Sequence, residues 1–401
     1  GRHLRARIGD DRPRRAAQAG WRPDHRRDRP ATAAGRRVAR PRGDGSRQRL
    51  TDLQHHGDAD QVPGLVNLAV NVRADGPPAW LVDVLTRSLA NVGEYPSAAP
   101  ARSALAAQHG VPEACVLPTS GGAEAFSLIA RAYGGCRPVV IHPQFTEPEA
   151  ALRAAGHDPG RLVLQAADGF TLDPARVPAE ADLVMIGNPT NPTGVLHRRA
   201  DLRLLARPGR IVVVDEAFMD AVVGERESLL GADVGAQNAA DLRGILVIRS
   251  LTKTWGIPGI RAGYVVGDAD LVAALARQQP PWSVSTPAIA AMVTCCGERA
   301  EMESRRAAVE IAERRTVLVD ALTAAGFPTA PSEAPFVLID VSSAVRVNGQ
   351  SVRQALHAKG FAVRRGETFP GLSPSWIRVA LRDNGISRRF VDALVAVRDR
   401  R

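Results

Sequence analysis

The chain has 401 residues, 45% hydrophobic and only 4% aromatic, enough to bury a sizeable core in more than one domain without disulfide or metal staples. Its formal charge of +10 sits at one end: residues 1–50 carry 16 Arg and 5 Asp, whereas the other 351 carry 36 basic and 37 acidic side chains. The basic character therefore belongs to a tail, and the body is near neutral. Such a tail can contact phosphates. Its prolines and lack of apolar periodicity predict a solvated, disordered extension over residues 1–55, so nucleic acid is not the expected partner. No apolar run reaches the ~18–20 residues of a membrane span, and the basic start is not followed by the apolar core of a secretory signal. Cys115, Cys136, Cys295 and Cys296 form no CxxC pair and offer no zinc spacing. A reduced, cytoplasmic protein without a bound metal is expected.

After an N-terminal arm over residues 56–75, apolar strands begin to alternate with helical stretches. Strands are expected at 114–118, Pro138–His142, Leu183–Gly187, Ile211–Asp215 and Ile245–Ser250, with helices at 122–133 and 147–155 among them. Buried strands alternating with amphipathic helices predict an α/β fold over residues 76–285, with a mostly parallel sheet covered on both faces. From residue 286 the texture changes. A long helix at 288–325 is followed by strands at 336–341, 362–365 and Trp376–Ala380, a helix near 351–359 and a final helix. That pattern predicts a smaller α+β domain over residues 286–401.

Ligands of open α/β sheets bind at the carboxyl ends of the strands, and the polar clusters fall there. Thr119-Ser120-Gly121-Gly122 follows the first strand, Asn188 to Gly194 another, Asp215 closes its apolar run, and Ser250 to Lys253 closes the last. Only two lysines occur, Lys253 and Lys359. Arginine stays charged, whereas a buried lysine can lose its proton and attack a carbonyl. Lys359 reads as an exposed helix end; Lys253 follows a buried strand.

Each neighbour of Lys253 also has a plain structural reading: the Gly pair as a turn, Asn191 as an Asx turn, Phe145 as core. Taken together they suit one ligand. Ser250, Arg261 and the backbone of Gly121, Gly122 and Ala123 at a helix start suit a phosphate. Asp215 would be buried beside an apolar sheet and needs a cationic partner or hydrogen bonds; a protonated pyridine nitrogen would supply a cation. Asn191 suits a phenolic oxygen, and Phe145 a flat ring. Pyridoxal phosphate carries all four features, with an aldehyde for Lys253. A nucleotide cofactor is poorly supported, because no G-x-G-x-x-G follows a strand and no Gly-Lys-Ser/Thr loop exists.

In order along the chain, Gly121-Gly-Ala-Glu, Phe145, NPTNPTG, DEAFMD and SLTK…IPGIRAGY resemble the class I/II aminotransferase family of fold-type I pyridoxal-phosphate enzymes. The resemblance spans roughly residues 62–395. It implies a seven-stranded, mostly parallel sheet with a smaller C-terminal domain. It further implies Lys253 as the Schiff-base lysine, Asp215 on the pyridine nitrogen, Asn191 on the phenolic oxygen, Phe145 on the ring, and the phosphate on Gly122, Ala123, Ser250 and Arg261. Tyr95, in GEYPS, matches a tyrosine that reaches the neighbouring subunit's phosphate, so a homodimer is implied. Phe218 stands where the family often has a tyrosine on the phenolic oxygen. Arg378, in WIRVALR, matches the arginine that grips the substrate's acidic group, and Asn71 and Arg364 fall at substrate-binding positions.

Two branches of the family look most similar, histidinol-phosphate aminotransferases and the threonine-phosphate decarboxylases of cobalamin synthesis. The decarboxylase-like stretches are DEAFMD, ARQQPPWSV and FPGL; the departures are LAVNVRA at residues 68–74 and Arg365, Gly366 and Thr368 near Arg364. Arg73 and Arg365 either favour an anionic substrate or are solvated surface. The preferred reading is transamination of a small phosphorylated amino acid or amine, the alternative decarboxylation of threonine phosphate. A more distant alternative is anion or nucleic-acid binding through the tail.

Overall fold

Short runs of branched apolar residues, ended by Gly, Asn or Asp, build the centre of the protein. The computed structural model describes residues 53–230, 242–344 and 351–399; the Arg-rich tail lies outside the described residues except for 53–55. In chain order the strands are β1 (Val66–Asn67), β2 (Val116–Ser120), β3 (Pro138–His142), β4 (Gly160–Val163), β5 (Leu183–Gly187), β6 (Ile211–Asp215), β7 (Ile245–Ser250) and β8 (Ala262–Gly267), then β9 (Phe336–Asp340), β10 (Phe361–Ala362), β11 (Arg364–Arg365) and β12 (Trp376–Ala380). Seven of them form one sheet in the order β2-β8-β7-β6-β5-β3-β4. All run parallel except β8, which is antiparallel to both β2 and β7. Strands such as β5 and β7 are buried along their whole length, as a sheet covered on both faces requires.

Alternation along the strands divides the core. Val140, Met185 and Val213 face one layer with Phe126, Leu128 and Leu152, whereas Val139, Val184 and Val212 face another with Leu202 and Leu205. Beyond the sheet, β9, β11 and β12 pair antiparallel in the order β11-β12-β9. The helices Glu298–Ala324, Val352–Ala358 and Asn384–Arg398 pack with this smaller sheet around Leu318, Leu322, Phe327, Leu356, Phe361 and Phe390. Leu338 of β9 joins the core of the larger sheet, and Trp376 packs edge-on against Phe170.

The structure differs from the sequence expectations at four places. The strand expected at 114–118 starts two residues later, because Glu113–Cys115 close a 3-10 turn. Strands β4 and β8 add to the five expected. The first is a half-exposed edge strand with a weak β signal, whereas the second has a short β-forming core of Tyr264, Val265 and Val266 set between Gly263 and Gly267. The helix expected over 288–325 is two, Thr286–Cys295 and Glu298–Ala324, divided where Gly297 takes an extended conformation (φ −84°, ψ 159°). Finally, the strand expected at 362–365 is split. β10 pairs parallel with β1, and β11 pairs antiparallel with β12.

Candidate active site

The carboxyl ends of the parallel strands deliver Ser120, Asn188, Asp215 and Ser250 to one edge of the large sheet. Because β8 runs the other way, its first residue arrives at that same edge: Ala262 lies opposite Ser120, and Gly263 opposite Ser250. Arg261, just before β8, is thereby set beside the start of the helix Gly121–Ala132. The fit is close. Gly121 has φ +76°, and a Cβ there would lie 2.5 Å from Arg261 Nη2, so only glycine is accommodated. At Gly122 an added Cβ would make an ordinary 3.6 Å contact with Ile248; space alone does not demand glycine there. The first N–H groups of this helix, including those of Gly122 and Ala123, have no acceptor within it. Ser120 N–H is held by Glu124 Oε2 at 2.6 Å, and Gln279 braces the turn by donating to Pro118 O at 2.9 Å. The Ser250 hydroxyl, buried, is 2.7 Å from Thr252 Oγ1. Backbone N–H groups, a hydroxyl and a guanidinium at a helix start can bind a dianion.

Lys253 follows β7 and approaches Asp215 at the end of β6. Burial pulls its ammonium below the ordinary lysine range, helped by the nearby positive charges of Arg378 and Arg261 and opposed by Asp215 and Asp58. The Asp215 carboxyl is pushed up to about 6, chiefly by burial, with the Ala217 N–H (3.1 Å) and Lys253 only partly compensating. It is a carboxylate short of a cation.

On the other side stands Arg378, buried on β12. It donates to Asn191 Oδ1 and to Ala69 O, its Nε has no partner, and among the described residues no carboxylate pairs with it. Desolvation, with Arg364 beside it, holds its pKa well below the usual guanidinium range. Arg364 is its cross-strand neighbour, but that charge is spent on Asp60 at 2.9 Å and the His55 carbonyl at 2.6 Å. Asn191 Oδ1 is thus occupied while its amide N–H groups remain to donate. The three other polar residues of its loop do serve structure: Asn188 accepts from His197 N–H at 2.8 Å, Thr190 lies 3.0 Å from His197 Nε2, and Thr193 Oγ1 accepts from Val195 N–H at 3.3 Å.

Asn71 is buried with both side-chain polar atoms unpartnered, and it lines a cleft with Lys253, Thr254, Phe218 and Arg73. Phe218 packs edge-on against Phe336, with centroids 5.1 Å apart. Phe145 faces the His56 ring at 5.5 Å. Arg73 is held by Glu303 at 2.8 Å, and Arg365 lies 2.8 Å from His55 Nδ1. Tyr95 is not brought to this site within the chain: it is 78% exposed and stacked on Trp282 with centroids 4.3 Å apart.

Residues 63–394 match the family described as aminotransferase class I and II. The chain belongs to this family. A histidinol-phosphate aminotransferase of Mycobacterium tuberculosis is 43% identical over 336 residues, covering 83% of this chain and 88% of its own length. A threonine-phosphate decarboxylase of Salmonella typhimurium is 29% identical over 344 residues, covering 82% and 90%. The crystal structure of the histidinol-phosphate aminotransferase from Clostridium acetobutylicum superposes with a TM-score of 0.73 at 22% identity, over 83% of this chain and 98% of that one. The chain is therefore an enzyme of a pyridoxal-phosphate-dependent family, with that family's fold.

The site fits that cofactor on its own terms. Burial raises the Asp215 carboxyl beyond what Lys253 and the Ala217 N–H offset, a buried asparagine has both polar atoms free, and a helix start is shaped around glycine. Two further groups near the lysine escape a reading of the sequence. Asp220 hydrogen-bonds Thr254, the residue after Lys253; it leaves Oδ1 buried without a partner, and burial pushes it up to about 7. Asp58 couples electrostatically to Lys253 from the segment before β1. The last residue of DEAFMD could have signalled the first; nothing in the local pattern of HHGDAD signals the second. No helix among the described residues is long and apolar enough to cross a membrane.

Proposed function

We propose that this enzyme transaminates a small phosphorylated amino acid or amine, of the histidinol-phosphate kind, and that Lys253, Asp215 and Arg378 are its principal groups. The observation that carries the reading is Arg378. A buried guanidinium with a free Nε and no carboxylate partner among the described residues is a site for an anion from outside the chain. Asn71 adds free polar atoms in the cleft it lines with Lys253 and Phe218, and Arg364 beside Arg378 is already paired with Asp60. The 43% identity to a histidinol-phosphate aminotransferase supports the substrate class.

Pyridoxal phosphate, when bound, supplies an aldehyde and a ring that withdraws electrons from the carbon bearing the substrate's amine. The Gly122 and Ala123 N–H groups, the Ser250 hydroxyl and Arg261 would hold its phosphate, and Asp215 its ring nitrogen. Asn191 would donate from Nδ2 to the phenolic oxygen, because Arg378 already occupies Oδ1. Phe145 and Phe218 would border the ring. Lys253 is the proton carrier: its lowered pKa raises the share of neutral amine, which can take and return a proton at Nζ near neutral pH. Arg378 orients the substrate so that its reacting carbon meets that nitrogen.

A homodimer is part of this proposal. The stacked and solvent-facing Tyr95 and Trp282 offer aromatic surface of the kind a second copy covers, which would let Tyr95 reach the partner's phosphate site. A reducing, cytoplasmic setting agrees with four free cysteines.

Decarboxylation of threonine phosphate is the second reading, favoured by the 29% identical relative. The ARQQPPWSV stretch does not separate the two readings, since its Gln279 braces the turn before the Gly-rich helix and not the substrate cleft. The test is to add histidinol phosphate or threonine phosphate to the cofactor-loaded enzyme without a keto acid. Stoichiometric loss of the long-wavelength absorbance with one of them, and no gas, establishes transamination. Continued consumption of threonine phosphate with release of carbon dioxide replaces the proposal with the second reading.

A further inference from the structure

Lys253 stands in a loop of turns and bends between β7 and β8, where no ladder of sheet or helix bonds fixes the backbone. Its carbonyl accepts from Gly256 N–H at 3.3 Å within its own turn and from Arg73 N–H at 3.1 Å, far earlier in the chain. The Arg73 side chain is held in turn, with Nη1 donating to Glu303 Oε1 at 2.8 Å. The other Glu303 oxygen accepts from Trp80 Nε1, also at 2.8 Å. The Trp80 ring meets Trp255 edge-on with centroids 5.4 Å apart, and Trp255, buried, is two residues after the lysine. These contacts close a ring from Lys253 through Arg73, Glu303, Trp80 and Trp255 back to the loop, and Glu303 joins its two halves. The helix Glu298–Ala324 grips Trp80 a second time through Arg299, whose guanidinium lies 5.4 Å from the ring centroid. Ala300 of that helix is buried in the core that holds Trp255, and Leu318 in the core of the smaller sheet, so one helix ties the lysine's loop to both. Arg73 lines the cleft with Lys253 and Asn71, but its charge is taken by Glu303.

We propose that Glu303 is a positioning residue for Lys253, bracing the lysine's loop from both sides so that its amine is held toward the aldehyde of the bound cofactor; this rests on Lys253 as the reacting amine and on no particular substrate. A carboxylate suits the place because both neighbours, a guanidinium and an indole N–H, are donors only. An amide there satisfies one of them and turns its own N–H groups toward the other. The Glu303 and Arg73 side chains are 26% and 31% exposed, and an ion pair so open to solvent contributes little to stability. Its effect lies in geometry, where displacing a reacting group by about 1 Å can cost about 100-fold.

The test measures how well Lys253 competes with a free amine for the cofactor. Methylamine is added to the cofactor-loaded enzyme, where its nitrogen displaces the lysine's from the aldehyde carbon, and borohydride then reduces whichever C=N bond is present. Mass spectrometry of the protein, with peptide mapping to Lys253, gives the fraction still carrying the cofactor and hence the methylamine concentration for half-displacement. Glu303→Gln is expected to lower that concentration by about tenfold, because a loosened lysine competes less well. Glu303→Asp, which keeps two acceptor oxygens, is expected to return to within about threefold of wild type. Glu301→Gln, which opens an exposed pair with Arg305 on the same helix, is expected to match wild type, as are the urea midpoints of all three variants. A half-displacement concentration in Glu303→Gln within about twofold of wild type, displacement in neither protein, or an equal shift in Glu301→Gln overturns the assignment. So does a lowered urea midpoint in Glu303→Gln that Glu303→Asp shares without recovering the lysine. Cofactor trapped on Lys253 in a wild type that turns over neither phosphorylated substrate sinks the proposed function alone; a wild type with no cofactor trapped on Lys253 overturns both.

Discussion

Replacing Asp215 by Asn removes a charge and keeps the shape, and its effect should have opposite signs with and without the cofactor. In the protein alone the carboxyl is pushed up from 3.8 to about 6 by burial. At about 1.4 kcal/mol per tenfold change in a protonation equilibrium, ionising it in the folded state costs about 3 kcal/mol more than in the unfolded chain. The sign follows from the raised value. The folded protein holds this proton more tightly, so its contribution is most favourable below pH 4 and is lost as pH rises through 6. Asp215→Asn lacks that loss and still accepts from the Ala217 N–H, which in wild type meets Asp215 Oδ1 at 3.1 Å. Urea unfolding of the cofactor-free proteins should therefore find the variant more stable than wild type at pH 7.5, by up to about 3 kcal/mol, with the difference vanishing near pH 4. Pyridoxal phosphate should reverse the order, because only wild type offers its ring nitrogen a counter-charge. Turnover of the variant should fall by about 100-fold or more. Parallel stability–pH curves for the two cofactor-free proteins would refute the assignment of Asp215 as an uncompensated buried carboxylate.

Lys253→Arg keeps a positive charge that cannot deprotonate near neutral pH, so turnover should drop by about 1,000-fold or more with the circular dichroism spectrum unchanged; residual activity within about tenfold of wild type would exclude Lys253 as proton carrier. Gly121→Ala should lower stability by about 1–3 kcal/mol in urea and weaken pyridoxal phosphate in a fluorescence titration, since its φ is +76° and the new methyl meets Arg261 at 2.5 Å. Gly122→Ala, with room at 3.6 Å, should cost far less in the same assay. Asp60→Asn should destabilise the protein by about 3–5 kcal/mol at pH 7, because it strands Arg364. Arg364 and His55 hold the Asp60 carboxyl below its ordinary value against the opposing effect of burial. Its stabilisation is therefore present above the ordinary aspartate range and lost as pH falls through the depressed pKa, so the variant should show a shallower acid limb of unfolding.

Much of the candidate site is legible in the order of residues along the chain. The two-lysine composition singles out Lys253 for chemistry that arginine cannot perform, and the runs of β-branched residues place it, Asp215 and Ser250 at strand ends. Those features are local: one residue type, one apolar run, one polar stop. Folding decided what depends on direction and distance. That β8 runs antiparallel, and so carries Arg261 to Gly121, follows from a register between strands far apart in sequence. That Arg378 has no carboxylate partner among the described residues while its neighbour Arg364 is neutralised depends on Asp60, over 300 residues earlier, and no local pattern encodes such a pairing. Side-chain chemistry and strand periodicity are written residue by residue, so the sequence alone determined the family and nominated the candidate cofactor residues at the strand ends. Which charges remain unpaired in the finished cleft is a sum over elements that meet only in three dimensions, and only the tertiary structure decided it.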